Sequence, residues 1–315
     1  MIICKYTTIK LYQQILYDYS IISILFLLFS LLFAHLIVPL QPIYAKKGMN
    51  ELVSVIMPTY NSSQFLAGSI DSILAQTYQN FELLIADDCS NDDDTVQLLR
   101  GYQEKDPRVK VFYNKEGNKG AGYTRNKCIE NAQGRYIAFC DSDDRWTPDK
   151  LEKQVRFMRE KCCRLSYTSY TICDDNDNDY GIFIAPKQIT FGDILKDNKI
   201  GCLTAMYDVK ELGKVFYMPT IRKRQDWALF MMILRQCKVA YGIEEPLAYY
   251  RVRNDSISRN KITLMKYNAK VYQEVLGYSI FRSYAFLCTF FIPTYTIKVI
   301  KRSIDSLIFR CKKNK

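Results

Sequence analysis

Along residues 52–140 short apolar runs alternate with segments whose apolar positions recur every three or four residues. Leu52 to Met57 is a run of the first kind, closed by Pro58, whereas Phe65, Leu66, Ile70, Ile73 and Leu74 are spaced as one face of a helix. The rhythm then repeats, predicting strands over 81–86, 109–113 and 135–140 and helices over 95–102 and 123–132. Such alternation predicts a mostly parallel sheet covered on both faces, with its loops at the carboxyl edge, where open α/β sheets bind ligands. Beyond 146 the pattern loosens. A helix is expected over 148–161, a strand over 164–173, a solvated acidic loop from Asp174 to Asp179 and a strand over 200–207. A helix is also expected over 226–236, with Trp227, Phe230, Met231 and Leu234 on one buried face.

The two ends follow neither rhythm. No Asp, Glu, Lys or Arg lies between Asp18 and Lys46, and residues 20–40 are nearly all large and apolar, a length that spans a bilayer. Ile43-Tyr44-Ala45 is a poor cleavage site, so an anchor helix over about 20–40 is expected in preference to a signal peptide. Lys5, Lys10, Lys46 and Lys47 flank it on both sides and leave its orientation open. If translation begins at Met49, the protein is soluble and cytoplasmic instead. Ser283 to Ile297 is uncharged, includes Pro293 and is too short to span; Lys298, Lys301, Arg302, Arg310, Lys312, Lys313 and Lys315 follow, against Asp305 alone. An interfacial helix on an anionic membrane is expected there. The layout is then an N-terminal segment 1–48, a catalytic domain 49–260 with halves 52–145 and 146–260, and a basic helical tail 261–315.

Composition narrows the chemistry. The chain has 44 Lys plus Arg against 33 Asp plus Glu, a net charge of +11, yet no basic-aromatic motif of a nucleic-acid module, so no nucleic-acid partner is expected. The single histidine, His35, sits in an apolar run, which removes the usual residue of serine triads, of histidine acid/base catalysis and of most zinc sites. Eleven cysteines without a C-x-x-C pair read as reduced and mostly apolar. Carboxylates must carry the chemistry.

Four groups of residues are candidates. Asp141, Asp143 and Asp144 crowd the end of the fourth strand, and a hard cation such as Mg²⁺ or Mn²⁺ bridging a diphosphate would relieve their repulsion; an acidic turn is the plainer alternative. Asp87-Asp88 ends the second strand, where an Asp can accept hydrogen bonds from a base or ribose, or form an Asx turn, with Asn91 and Asp92 free to cap the helix. Gly117, Gly120 and Gly122 precede Arg125 without matching a dinucleotide or P-loop fingerprint, though a helix start there suits phosphate. Asp226 follows Arg222, Lys223 and Arg224 and is either the N-cap of its helix or a general base, and both roles are compatible. Arg251 and Arg253 in "YYRVRNDSIS" can clamp phosphates or face solvent.

Taken in order, "VSVIMPTYN", "ELLIADDCSNDDDT" (residues 82–95), "GNKGAGYTRN", "YIAFCDSDDRWTPDKL", "RQDW" and "YYRVRNDSIS" resemble the inverting family 2 glycosyltransferases of the GT-A fold, those of bacterial surface-polysaccharide synthesis above all. The likeness covers about Val53 to Ser258. It implies a Rossmann-like, mostly parallel sheet flanked by helices, with Pro58, Thr59 and Tyr60 beside the nucleobase, Asp88 reading base or ribose, and Arg125 supporting that pocket. It implies Asp141 and Asp143 as a D-x-D element in which Asp143 ligates Mn²⁺ or Mg²⁺, Arg251 on the diphosphate, and Asp226 as the base. The expected reaction moves one sugar from a nucleotide-sugar, UDP-linked, to a lipid-linked glycan or other saccharide at a cytosolic membrane face. A nucleotidyltransferase and a catalytically silent sugar-nucleotide-binding partner are the alternatives. Gln225 replaces a frequent Glu, Arg253 a frequent His and Cys89 a usual Gly, and the Q-x-x-R-W signature of processive members is absent, which favours single-sugar transfer.

Overall fold

The computed structural model describes residues 51–253 and 261–313. The anchor expected over 20–40 and the 254–258 end of the last motif lie outside the described residues. The first half runs β1 (Val53–Thr59), α1 (Ser63–Leu74), β2 (Phe81–Asp87), α2 (Asp93–Lys105), β3 (Val109–Tyr113), α3 (Ala121–Glu130) and β4 (Tyr136–Phe139). The strands pair in parallel in the order β3-β2-β1-β4. Because side chains alternate along a strand, Val53, Val55 and Met57 of β1 enter one core with Leu66, Ile70 and Ile73 of α1, while Ile56 enters the other with Cys128 and Ile129 of α3. A strand apolar on both faces needs cover on both, which is why the run in β1 is continuous. Asp92 caps α2, its Oδ1 accepting from Thr95 N at 3.2 Å.

The second half adds β5 (Arg145–Trp146), α4 (Lys150–Glu160), β6 (Leu165–Cys173), β7 (Asp179–Phe183), β8 (Gln188–Thr190), α5 (Phe191–Lys196), β9 (Met206–Asp208), α6 (Val209–Leu212), α7 (Gln225–Cys237) and β10 (Val239–Arg251). The same sheet continues β4-β9-β6-β10-β5, with β9 antiparallel to both neighbours and β10 parallel to β6. Two expectations change here. Only the end of the strand expected over 200–207 forms, because Thr204 N and Oγ1 both turn back to the Gly201 carbonyl, at 3.0 and 2.8 Å, and close a 3₁₀ turn over Cys202–Thr204. And α7 buries more than one face: Trp227, Ala228, Leu229, Phe230, Met231, Ile233 and Leu234 are all buried. The sheet covers one side of α7, and α8 (Lys261–Leu276) covers another through Tyr272, edge-on to Trp227 at 5.5 Å.

After α8 come α9 (Ile280–Phe286), a π-helical turn (Leu287–Phe291) and α10 (Ile292–Lys313). Val271, Tyr272, Leu287 and Phe291 join the α7 side of the core. Further on, α10 lies along β7, where Ser306 Oγ accepts from Ile182 N at 3.3 Å and Arg310 Nε donates to the Tyr180 carbonyl at 2.6 Å.

Candidate active site

The carboxyl ends of β1, β2 and β4 open on a cleft of about 940 Å³ whose lining includes Pro58, Thr59, Tyr60, Asp88, Arg125, Asp141, Asp143 and Asp226. Of the nine residues given a nucleotide, metal or catalytic role above, the fold brings all but Arg251 to this one cavity. Two buried polar atoms in its lining, Thr59 Oγ1 and Arg125 Nε, have no partner among the described residues. Such atoms are costly unless a ligand engages them.

Asp88 accepts from Asn114 Nδ2 and Lys119 N, both at 3.0 Å, and from Gly120 N at 2.7 Å. Its carboxylate therefore draws the glycine-rich loop against the cleft, and Gly120, at φ +91°, makes the bend that starts α3. Next to it Cys89 stands at φ +66°, a left-handed turn held by Ser90 N on Asp87 Oδ2 at 3.0 Å. The turn keeps its shape without glycine, at a cost of about 1–2 kcal/mol.

At the end of β4 the two aspartates of the D-x-D element are treated differently. Asp141 pairs with the buried guanidinium of Arg125; burial opposes that positive charge, but Asp141, together with Cys202 and Asp226, outweighs it and holds the Arg125 pKa above its ordinary value. Between them Ser142 is pinned to α1, its Oγ 2.9 Å from Ser62 Oγ and its carbonyl accepting from Ser69 Oγ at 2.9 Å. Asp143 faces the cleft, where burial and then the charge of Asp141 push it up to about 6 despite Arg253 Nη1 at 3.8 Å. Asp144 turns inward to accept from Arg251 N at 3.0 Å, and burial followed by Asp143 and Asp141 raises its pKa well above the carboxylate range.

A cation at Asp143 and Asp141 would relieve this crowding. Among the described residues no group of three or more His, Cys, Asp and Glu is placed to enclose a metal. The residues therefore fit an ion such as Mn²⁺ or Mg²⁺ that takes one or two carboxylates from the protein and its remaining oxygens from phosphate and water.

Arg251 calls for a correction. Expected on the diphosphate, it is 5% exposed and spends its donors on the protein: Nε on the Asp143 carbonyl at 3.0 Å, Nη1 on the Asp174 carbonyl at 2.8 Å and Nη2 on Asp177. It braces the back of the D-x-D turn, while Arg253 reaches the cleft. The acidic loop is corrected with it. Asp177 also pairs with Arg145 at 2.7 Å, so this loop is the counter-charge of two arginines and not merely solvated surface.

On the far wall, α7 starts from Arg224 at φ +69°, which has no side-chain cap, so Asp226 lies inside the first turn and is not the N-cap. Freed from capping, Asp226 Oδ2 accepts from Asn198 Nδ2 at 3.1 Å. Gln225 packs against Gly122 of α3, where a Cβ would come within 2.7 Å of its Cγ, and its Nε2 donates to the Arg222 carbonyl at 3.3 Å. The sequence did not point to Asn198, nor to Lys298 and Arg302 of α10, which also line the cleft. Lys298 and Arg302 lie some seventy residues or more beyond Asp226, and only tertiary folding brings them to it.

A glycosyltransferase of the GT-A fold is the class that this sheet and cleft fit. The chain belongs to glycosyl transferase family 2, whose family model matches residues 54–209. It is 45% identical over 225 residues to a putative teichuronic acid biosynthesis glycosyltransferase of Bacillus subtilis, covering 71% of this chain and 88% of that protein. It is 39% identical over 216 residues to an Escherichia coli UDP-Glc:alpha-D-GlcNAc-diphosphoundecaprenol beta-1,3-glucosyltransferase, covering 68% and 83%. The solved structure of Staphylococcus aureus TarS 1-349 in complex with UDP-GlcNAc shares the fold, with a TM-score of 0.58 at 22% identity over 76% of this chain and 71% of that one. The protein is thus a glycosyltransferase, which sets aside the nucleotidyltransferase and silent-partner alternatives.

Proposed function

We propose that the protein transfers a single hexosyl residue, with inversion, from a UDP-sugar to a sugar carried on a lipid diphosphate at the cytosolic face of a membrane, in the synthesis of a surface polysaccharide. The observation that carries this reading is that Asp143 and Asp226 stand on different elements of one cleft, each with the environment its task needs. The unpartnered Thr59 and Arg125 atoms suit a nucleotide, and the UDP-linked donor and diphosphoundecaprenol acceptor named for the E. coli relative suit the two walls.

In the proposed reaction the acceptor hydroxyl attacks the anomeric carbon as its bond to the donor diphosphate breaks. Asp226 takes the hydroxyl proton, and Asn198 orients its carboxylate for that role. Arg125 fixes Asp141, while Arg251 and Ser142 hold the turn that aims Asp143 into the cleft. A divalent cation held by Asp143 and Asp141 supplies, when bound, positive charge against the leaving UDP. Attack from the Asp226 side, opposite the leaving group, inverts the anomeric centre.

UDP release with Mn²⁺, measured across a panel of UDP-sugars and lipid-diphosphate acceptors, tests this reading. Asp226→Asn is expected to lower kcat by about 10²–10⁴-fold, the usual contribution of a general base, with UDP affinity retained. Asp143→Ala is expected to abolish the Mn²⁺-dependent part of UDP binding. Full turnover in either variant refutes the assignment.

A further inference from the structure

The wall that holds Asp226 gathers positive charge from three separate elements. Lys199 comes from the loop after α5, Arg222 and Arg224 from the loop before α7, and Lys298 and Arg302 from α10; all five line the cleft. Arg222, Arg224 and Arg302 make no ion pair with any described residue, and Arg224 Nε is buried with no hydrogen-bond partner among those residues. Lys298 is the matched member, with Nζ 2.9 Å from Asp197 Oδ2 and also on the Asn198 carbonyl. Even so, burial first, and behind it the like charges of Arg224 and Arg302, hold the Lys298 ammonium below the usual lysine range. Like charges crowded on a partly buried wall are unfavourable until an anion joins them.

In the reading above the D-x-D turn already provides for the donor diphosphate, which leaves a second anion as the occupant to identify. The position of the charges points to it. Asp226 Oδ2, Asn198 and Lys298 Nζ form one continuous chain, because Asn198 donates to the first through its side chain and accepts from the last through its carbonyl. Arg224 lies two residues before Asp226. The base and the cations are therefore neighbours, as they must be if one sugar ring alone separates the attacking hydroxyl from a phosphate. The opposite face of α10 exposes Ile297, Ile300, Ile304 and Ile308, so the helix offers charge to the cleft and apolar surface to the outside.

We propose that Arg222, Arg224, Lys298 and Arg302 form a subsite for the diphosphate of the acceptor, distinct from the donor site at Asp143. This rests on the lipid-diphosphate reading above and deepens it: the enzyme recognises the charged linker of its acceptor as well as the sugar.

The test uses two soluble acceptors bearing the same sugar, one joined through a diphosphate to a short alkyl chain and the other a plain alkyl glycoside. Binding of decyl diphosphate is measured in parallel by calorimetry, with EDTA present so that no metal recruits it to Asp143. Arg302→Gln, and Arg222→Gln at an exposed position that tolerates the change, are each expected to lower the kcat/KM ratio of the diphosphate acceptor over the glycoside about tenfold. They are expected to weaken decyl diphosphate binding by a similar factor, the size of one charge-assisted hydrogen bond. Equal losses on both acceptors, or decyl diphosphate binding that is absent in the natural protein or unaltered in both variants, overturns the subsite. If the natural protein transfers sugar to neither acceptor while decyl diphosphate binding is lost in the variants, the transfer reading fails and the anion subsite stands.

Discussion

Lys150 opens α4 with its side chain wholly buried, Nζ 2.7 Å from Gln154 Oε1 and 3.9 Å from the centre of the Trp146 ring. No carboxylate among the described residues is paired with it, and burial pulls its pKa down to about 7. An unfolded lysine titrates near 10.4. Between about pH 7 and pH 10 the unfolded chain therefore binds a proton that the folded chain does not, and this residue makes stability rise with pH across that window; below about pH 7 its full penalty is present. Lys150→Met keeps the length and removes the titration. It is expected to stabilise the protein at pH 7 by roughly 1–3 kcal/mol, a gain that shrinks toward pH 10. Urea unfolding across that range checks it, and parallel pH profiles for the two proteins would exclude the idea. At this scale the site was legible where chemistry is local. Asp141, Asp143 and Asp226 could be singled out because strand ends and helix starts of an α/β sheet converge on one edge, and the fold does bring all three to one cleft, where their roles are the proposal made above. Arg251 and Arg253 were confused because alternation alone does not tell which of two arginines a neighbouring loop will claim, and Asp177 claimed Arg251.

Elements of the first half follow from their periodicity because β1, β2 and β4 are largely apolar on both faces and α1 has one apolar stripe, so local pattern and final packing agree. In the second half tertiary contacts decide. The all-round burial of α7 depends on partners far away in the chain, among them Tyr272, and the 3₁₀ turn closed on Gly201 is held from outside by Trp146 Nε1 and Gln154 Nε2, which donate to the Leu203 and Thr204 carbonyls at 2.9 Å. The long strand β10 shows the same dependence. It pairs with β5, β6 and β8 and shifts register twice against β6, around Pro246. It passes so close to the chain before β8 that a Cβ on Gly242 would lie 2.1 Å from the Pro186 carbonyl oxygen and 2.9 Å from the Tyr167 ring. Gly242→Ala must therefore move backbone, because Gly242 N already donates to the Lys187 carbonyl at 2.9 Å. A loss of about 2–4 kcal/mol is expected, within the range for a forced overlap in a packed region. Thermal unfolding measures it, and a melting temperature equal to that of the natural protein would show that the loop yields at no cost.

Across the whole molecule the unusual feature is a helix turned inside out. An ordinary surface helix buries its apolar stripe and shows charge to water. In α10, Lys298, Arg302, Ser306 and Arg310 are the residues directed at the protein, through Asp197, the cleft, Ile182 and Tyr180. Ile297, Ile300, Ile304, Leu307 and Ile308 are left exposed, at 67, 56, 52, 60 and 50% of their surface. Ile280–Cys311 is long and apolar enough to cross a membrane by length and composition. The three polar attachments, at Lys298, Ser306 and Arg310, argue for the other geometry, in which the helix lies on the domain with its stripe and the adjacent Lys301 turned outward, and we expect a membrane surface to meet that face. Acyl chains would then take the exposed isoleucines, and anionic headgroups would add about 1 kcal/mol for each basic side chain near the surface. A chain starting at Met49, free of the N-terminal segment, should float with vesicles rich in anionic lipid and release as salt rises. Ile304→Glu combined with Ile308→Glu should cut the bound fraction at least about tenfold, since it both removes apolar contact and repels the headgroups. Because neither residue touches the cleft, turnover with a soluble acceptor distinguishes loss of docking from loss of fold. Flotation equal to that of the natural sequence would mean that some other surface meets the bilayer, and the acceptor would then have to reach Asp226 by a path that does not follow α10.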